Sequence, residues 1–451
     1  MNENTEDQEF RLFDGLPLYR SEYATVSTAF NCGPGLANDR VAATAEDSYL
    51  SIISKTTEKE FEAFLESVSS DQKEYRSDEA GRYCSFRLHG ELYYAYYIFS
   101  EHCARIIHDV SSNHIPSSLN AGTAGGRISL YQYSLNYVEA SVPYAEPGAM
   151  DCGMLYIFRF PDGSLFLIDS AHGMQTTQGS LDGLYAFLRK ISGIPEKQKI
   201  PVRGWFFTHA HGDHTGMAAA FLGETYPGIA GKQIRRSYAE QLEIQSVLFN
   251  FPSYQIATAG YAADESMAMK DAFRNRYPGI PYIKLHTGQS FSLFGMQFEV
   301  LYTFEDSVTP EGEWGLTEFN STSTVLKATY GNTSVLFLAD IHRKAEGILM
   351  RRYSEKTLAS DVVQVAHHCI NELDIYEKIQ AEYALVPTSH SQMVGRHARQ
   401  YARFRDFAQK GCYCADACTW EMCLNGTDIQ TQEHPRYDAC GYSDKPQIQK
   451  G

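Results

Sequence analysis

The stretch His209-Ala210-His211-Gly212-Asp213-His214 places three imidazoles and a carboxylate in six consecutive residues, directly after the apolar run Trp205-Phe206-Phe207. A strand must deliver such a loop and a helix must leave it. His209 and His211 lie two residues apart at the end of the expected strand, where alternate side chains share a face, so both imidazoles can converge on one ion. Asp213 and His214 follow at a Gly-flanked turn and enter a small-residue helix, Gly216-Met217-Ala218-Ala219-Ala220, so they project from a different backbone direction. One loop can therefore serve two adjacent ions. Imidazole nitrogen with carboxylate oxygen suits zinc, iron(II) or manganese, and no cysteine is near enough in sequence for a purely structural thiolate site. The bland alternative, a polar loop whose histidines only bond their neighbours, fits the H-x-H-x-D-H spacing poorly.

Three further apolar runs end in the same chemistry. Leu165-Phe166-Leu167-Ile168 ends in Asp169, Ser334-Val335-Leu336-Phe337-Leu338-Ala339 in Asp340, and Asp361-Val362-Val363-Gln364-Val365-Ala366 in His367-His368. Continuous apolar runs of this length read as strands buried on both faces. One terminal Asp is commonly a turn or cap residue; four strand ends carrying Asp, His-x-His, Asp and His form a pattern.

The order Asp169, His209-x-His211-x-Asp213-His214, Asp340, His367 resembles the metallo-β-lactamase-fold hydrolase superfamily, over about Gly153 to Pro387. Asn320-Ser321-Thr322-Ser323-Thr324-Val325-Leu326, the strand to Asp340, and Val365-Ala366-His367-His368 are further similar to the hydrolase domain of bacterial DNA-uptake channel proteins and its soluble relatives. The resemblance implies an α/β (α+β) fold, an αββα sandwich with metals at the edge where strand ends meet. It implies that His209 and His211 bind a first ion and Asp213, His214 and His367 a second. Asp340 then bridges the two, and Asp169 orients the histidine loop. Asp213 and Asp340 are the implied catalytic carboxylates, fixing the ions and orienting the nucleophile.

The chain departs from the superfamily pattern at one strand end. Gln297-Phe298-Glu299-Val300-Leu301 leads into Tyr302, where a third histidine for the first ion is expected. His286 is the other histidine between the loop and Asp340, but it lies a strand too early and reads as a surface or packing residue. His367 and His368 compete for one ligand position, and His367, directly off the strand, is preferred. His368, His390 and Tyr302 are the candidates for proton donation or substrate contact.

Composition sets the outer limits. With 451 residues, 43% of them hydrophobic, the chain is long enough for two domains with substantial cores. Its net charge of −16 disfavours long nucleic acids as partners; a small-molecule substrate fits better, and self-association is compatible with the reading. The acidic segment Met1-Asn2-Glu3-Asn4-Thr5-Glu6-Asp7 has no signal-peptide pattern, and no apolar stretch reaches membrane-spanning length. These features point to a cytoplasmic protein with reduced thiols. Cys412-x-Cys414-x3-Cys418-x4-Cys423 lacks the paired knuckles of a thiolate zinc site and reads as part of a late strand with an Asn425-Gly426 turn behind it.

Along the chain, residues 1–126 read as an N-terminal α+β domain of unassigned role. Thr57-x-x-Glu60 is a capping box, strands are expected over 82–88, 91–99 and 104–110, and residues 111–126, rich in Ser, Asn and Gly, are the linker. Tyr93-Tyr94-Ala95-Tyr96-Tyr97 reads as sheet core. Residues 127–451 read as the hydrolase domain. The expected function is hydrolysis by a metal-bound hydroxide, with one or two zinc ions (or manganese or iron) and a small phosphodiester or ester substrate. The alternative is a non-catalytic metal-binding or scaffold protein with a degenerate site.

Overall fold

Alternation along the buried strands explains why they are apolar throughout. Leu165 and Leu167 pack on one side of their sheet with the helices, whereas Phe166 and Ile168 face the opposite sheet. Trp205 and Phe207 divide from Phe206 in the same way, and in the second sheet Val335 and Phe337 point inward while Leu336 and Leu338 meet the outer helices. A strand covered on both sides has no place for a polar alternate.

The computed structural model describes residues 8–30, 48–70, 72–109, 115, 119–138, 149–252, 263–308 and 319–435. Its first large sheet runs in the order Tyr282–Ile283, Val247–Phe249, Ile200–Phe207, Leu165–Ile168, Tyr156–Arg159, Ile128–Gln132, Thr419–Leu424, Ile429–His434. The second runs Gly411–Cys414, Tyr383–Val386, Val362–Gln364, Thr333–Phe337, Val325–Tyr330, Met296–Tyr302, Ser290–Leu293, Asn120–Ala121. Phenylalanines of both sheets interdigitate between them, Phe158 against Phe298 and Phe337, Phe166 against Phe291. Helices Gln178–Ser192 and Gly212–Leu222 cover the first sheet, and Arg343–Arg352 and Ala398–Phe407 the second. The result is an αββα sandwich. No helix among the described residues is long and apolar enough to cross a membrane.

Ahead of the sandwich stands a sheet in the order Thr25–Phe30, Ser48–Ser54, Cys103–Asp109, Glu91–Ile98, Gly81–Leu88, Lys73–Ser77. The Thr57/Glu60 capping box starts the helix Glu58–Ser67, whose Phe61, Phe64 and Leu65 pack on one face of this sheet with Tyr93 and Tyr97. His89 and Gly90 both have positive φ, which suits the two-residue turn joining strands 81–88 and 91–98. Tyr94 and Tyr96 occupy the other face and reach the sandwich: Tyr94 donates to the Thr287 carbonyl at 2.8 Å and Tyr96 to Asp306 Oδ1 at 2.9 Å. The Ser/Asn/Gly-rich segment expected as a linker is partly something else. Asn120 and Ala121 form an edge strand on Ser292 and Leu293, because Asn120 Oδ1 accepts from Ser292 N–H at 3.0 Å and extends the pairing. Residues 111–114 and 116–118 of that segment, the acidic residues 1–7, Cys32 and Cys440 lie outside the described residues. Cys84, Cys103, Cys152, Cys369, Cys412, Cys414, Cys418 and Cys423 are free thiols.

His286 is a packing residue at this junction. Its Nδ1 lies 3.0 Å from Glu305 Oε1 and its Nε2 3.4 Å from Asp109 Oδ2, with the ring stacked on Tyr94. Burial alone would lower its pKa, but Glu305 and Asp109 outweigh it and push it up to about 9. A histidine whose folded pKa exceeds its unfolded value of about 6.5 stabilises the fold fully below that pH and loses the contribution as pH rises through 9. Urea unfolding at pH 6 to 10 should therefore show stability falling with pH by up to about 3 kcal/mol. His286→Gln should flatten that slope; an unaltered slope in the variant would assign it elsewhere.

Candidate metal centre

The site assembles where parallel strands of both sheets end on one edge. Leu165–Ile168 pairs in parallel with Ile200–Phe207, and Thr333–Phe337 with Val362–Gln364. Their C-terminal ends present Asp169, the 208–214 loop, Asp340 and the 367–368 pair. Several of these residues have left-handed backbones although none is glycine: Asp169 (φ 60°), Ala339 (49°), His367 (46°) and His368 (50°). Such conformations persist where surrounding bonds enforce them. Here the Gln364 carboxamide grips the Ala339 turn, accepting from Ala339 N–H at 2.6 Å and donating to the Ala339 and Val365 carbonyls. The Ser323 hydroxyl accepts from Asp340 N–H at 3.2 Å.

Asp213, His214, Asp340 and His368 form one cluster whose ligand atoms all lie within 4.8 Å of one another. Asp340 Oδ2 is 3.2 Å from both His214 Nε2 and His368 Nε2, and Asp213 Oδ2 is 3.0 Å from His368 Nε2. Each imidazole is held from behind. His214 Nδ1 bonds Asp169 Oδ2 at 2.8 Å, and His368 Nδ1 donates to the Pro387 carbonyl at 3.0 Å, so both turn Nε2 into the cluster. Asp169 also accepts from Thr208 N–H at 2.8 Å, which ties the start of the histidine loop to the same carboxylate.

The charges of the four side chains are strongly coupled. Burial would lower the His368 pKa, but Asp340 and Asp213 outweigh it and push it up to about 10; His214 is likewise raised well above the usual histidine range. Burial would raise Asp213 and Asp340, yet the facing imidazoles hold both well below the carboxylate range. His214 Nε2, His368 Nε2 and both Asp340 oxygens are buried and make no hydrogen bond, a costly arrangement for interior polar atoms. A divalent cation satisfies all of them at once, and nitrogen with carboxylate oxygen is the donor set zinc, manganese and iron(II) accept.

His209 and His211 border the cluster on another side of Asp340. His209 Nε2 lies 3.1 Å from His211 Nδ1 and 4.0 Å from Asp340 Oδ2. Burial, reinforced by His214 and His211, holds His209 well below the usual histidine range, and His211 is lowered as well, mainly by burial.

Two of the expected residues take other positions in the structure. His368 rather than His367 lies in the four-residue cluster; the two rings are 5.9 Å apart, and His367 Nε2 borders the cluster 4.0 Å from Asp340 Oδ2, the same distance as His209 Nε2. Tyr302 is removed from the site. A register shift between Val300 and Tyr302 turns it into the helix-side core, where its hydroxyl donates to the Ser321 carbonyl at 2.6 Å. His390 sits at the start of the helix His390–Val394, with its N–H on Asp416 and its ring 6.3 Å from Tyr401. Sequence reasoning missed His342, Asn320 and Asn371, which surround His367. The spacing Asp340-x-His342 repeats that of His209-x-His211 and was a usable signal. Asn320 opens the Asn320–Leu326 run noted in the sequence, whereas Asn371 carried no signal.

A family model described as the metallo-beta-lactamase superfamily matches residues 154–390. No curated protein matches the chain. Among solved structures, the chain is similar to the metallo-beta-lactamase fold protein YhfI from Bacillus subtilis, with 13% identity over 66% of this chain and 100% of that one, at a TM-score of 0.36. It is similar to zinc-bound PqqB from Methylobacterium extorquens, with 8% identity over 64% and 99%, TM-score 0.34. It is also similar to Tm1679, a metal-dependent hydrolase of the beta-lactamase superfamily, with 10% identity over 64% and 95%, TM-score 0.32.

Proposed function

The chain belongs to the metallo-beta-lactamase superfamily, and from that premise we propose a metal-dependent hydrolase acting on a phosphodiester or ester of a small molecule. The observation carrying this reading is the convergence of Asp213, His214, Asp340 and His368 with buried donor atoms left unsatisfied. When bound there, a divalent cation lowers the pKa of water to about 7 and polarises the oxygen of the bond being broken.

The residues divide the remaining work. Asp340, side chain 1% exposed, faces His214 and His368 on one side and His209 on another, which suits it to be shared between two cations. Asp213, 15% exposed, is the carboxylate nearest solvent and is placed to accept a hydrogen bond from the attacking water. Asp169 and the Pro387 carbonyl keep Nε2 of His214 and His368 directed inward. The donor set favours zinc, with manganese or iron(II) as substitutes, and the net charge of −16 favours a small substrate over a long polyanion. Tyr302 favours a second reading, a non-catalytic metal-binding protein, because its side chain leaves the strand end near the site without a ligand.

Full-length protein purified without chelator should carry at least one divalent ion per chain by elemental analysis. It should turn over a chromogenic phosphodiester or ester, lose that activity to chelator, and regain it with zinc or manganese. Folded protein that takes up no metal would sink the reading. Metal uptake without turnover of phosphodiester, ester, lactone or β-lactam probes would favour the non-catalytic alternative.

A further inference from the structure

The strand end at Tyr302 supplies no side chain to the metal edge, yet Tyr302 acts on that edge indirectly. Its hydroxyl, bonded to the Ser321 carbonyl at 2.6 Å, supports the short turn Phe319–Thr322. The segment that follows is clamped between two parts of the centre. Thr324 N–H donates to the Thr208 carbonyl at 2.9 Å, at the start of the histidine loop, and the Ser323 hydroxyl accepts from Asp340 N–H at 3.2 Å. The Phe319 ring lies against the His211 ring, with centroids 4.9 Å apart. Asn320 is therefore held on the side of the centre where His209 and His211 stand.

The Asn320 carboxamide has two different surroundings. Its Nδ2 faces imidazole nitrogens, His367 Nε2 at 3.2 Å and His342 Nε2 at 3.4 Å. The carboxamide also stands beside His211, and its Oδ1 is buried without a hydrogen bond among the described residues. An interior carbonyl oxygen left in that state is costly, and an amide oxygen is an accepted ligand for divalent cations. The neighbouring imidazoles have ligand spacing: His209 Nε2 and His211 Nδ1 are 3.1 Å apart, against about 3.3 Å for two nitrogens bound tetrahedrally to one zinc.

We propose that Asn320 Oδ1 is a metal ligand: together with His209 and His211 it holds the cation on that side of Asp340, in place of the histidine expected at Tyr302. This deepens the metal-dependent reading and rests on it. Tyr302 is then a positioning residue that holds the Asn320 turn, and its place at the strand end ceases to favour a non-catalytic protein. A neutral oxygen beside two imidazoles binds zinc less tightly than the cluster with two carboxylates, so the two cations should differ in affinity.

Zinc is the probe, titrated calorimetrically into chelator-stripped full-length protein, with bound zinc counted by elemental analysis. Wild type should bind two equivalents, one more weakly, and His209→Ala should remove the weaker one and so assign it. Asn320→Leu should keep the tighter equivalent and raise the Kd of the weaker at least about tenfold, since even residues one bond beyond a ligand commonly cost that much. Asn320→Asp, which puts a charged oxygen in the same place, should lower that Kd more than twofold. Tyr302→Phe should raise it by less than Asn320→Leu while leaving the tighter equivalent unchanged. A Kd in Asn320→Leu within twofold of wild type, or one in Asn320→Asp no lower than wild type, overturns the assignment; the Asp variant decides alone if the Leu variant fails to fold. Wild type that binds a single equivalent also overturns it, but leaves the hydrolase reading standing on the four-residue cluster. Wild type that takes up no zinc fails the hydrolase reading itself.

Discussion

Asp340→Asn is expected to leave a folded protein that no longer gains stability from zinc and no longer hydrolyses its substrate. The carboxylate contacts both inward-facing imidazoles at 3.2 Å and lies 4.0 Å from His209, so the amide alters donors on two sides of the centre together. Residues one bond further from a metal commonly cost 10–100-fold in affinity or activity. If Asp340 is shared between ions as proposed, its loss should therefore exceed about 100-fold. The direct measurement is thermal or urea unfolding with and without zinc. A ligand present at about 1,000 times its Kd stabilises the native state by about 4 kcal/mol, and that increment should be present in wild type and absent in Asp340→Asn. Asn preserves the volume and still accepts at Oδ1, so the apo variant should unfold cooperatively. A zinc increment equal to wild type in Asp340→Asn would remove this residue from the centre and return the cluster to being a buried ion-pair network.

Much of the architecture around this residue is legible in the sequence, for a physical reason. A strand buried on both faces has to be written as an unbroken apolar run, so the polar residue that ends it stands out; Asp169, the histidine loop and Asp340 are all visible in this way. What spacing could not reveal was local handedness. Choosing between His367 and His368 depends on three consecutive left-handed residues, a run that single-residue preferences do not predict even though histidine alone is enriched in that region. Tyr302 stands at the expected strand end, but the side of the sheet it takes was not readable, because one register shift exchanges the two faces of a strand. The edge strand at Asn120 and Ala121 looked like linker, since two residues supply no periodicity. Partners distant in sequence were silent as well: His286 with Asp109, and Arg352 with Glu101, belong to elements whose proximity is set only by the docking of one sheet on another.

That docking carries the largest stability effect expected away from the metal centre. Arg352 closes the helix Arg343–Arg352 with a side chain that is 0% exposed. It lies 2.8 Å from Asp306 Oδ1 and 2.6 Å from Glu101 Oε1, so it joins the sandwich to the 99–101 turn of the N-terminal sheet. Arg105 backs Glu101 at 2.9 Å, and despite burial the two guanidiniums hold the Glu101 carboxyl down at about 2. Arg352→Met keeps most of the volume and removes the charge, leaving Asp306 buried with only neutral donors such as Tyr96. Stranding one partner of a buried pair typically costs 3–5 kcal/mol, and urea unfolding of Arg352→Met should show a loss of about that size. Adding Asp306→Asn should restore part of it, because the pair is then neutral on both sides, and the coupling between the two positions measures the ion pair itself. The same network predicts the acid limb. Glu101 has a depressed pKa, so its contribution is present above its unfolded value of 4.5 and lost as pH falls toward 2, a limb that should weaken in Arg352→Met. A variant as stable as wild type, with an unchanged acid limb, would mean that the N-terminal sheet is held by its tyrosines and apolar face alone.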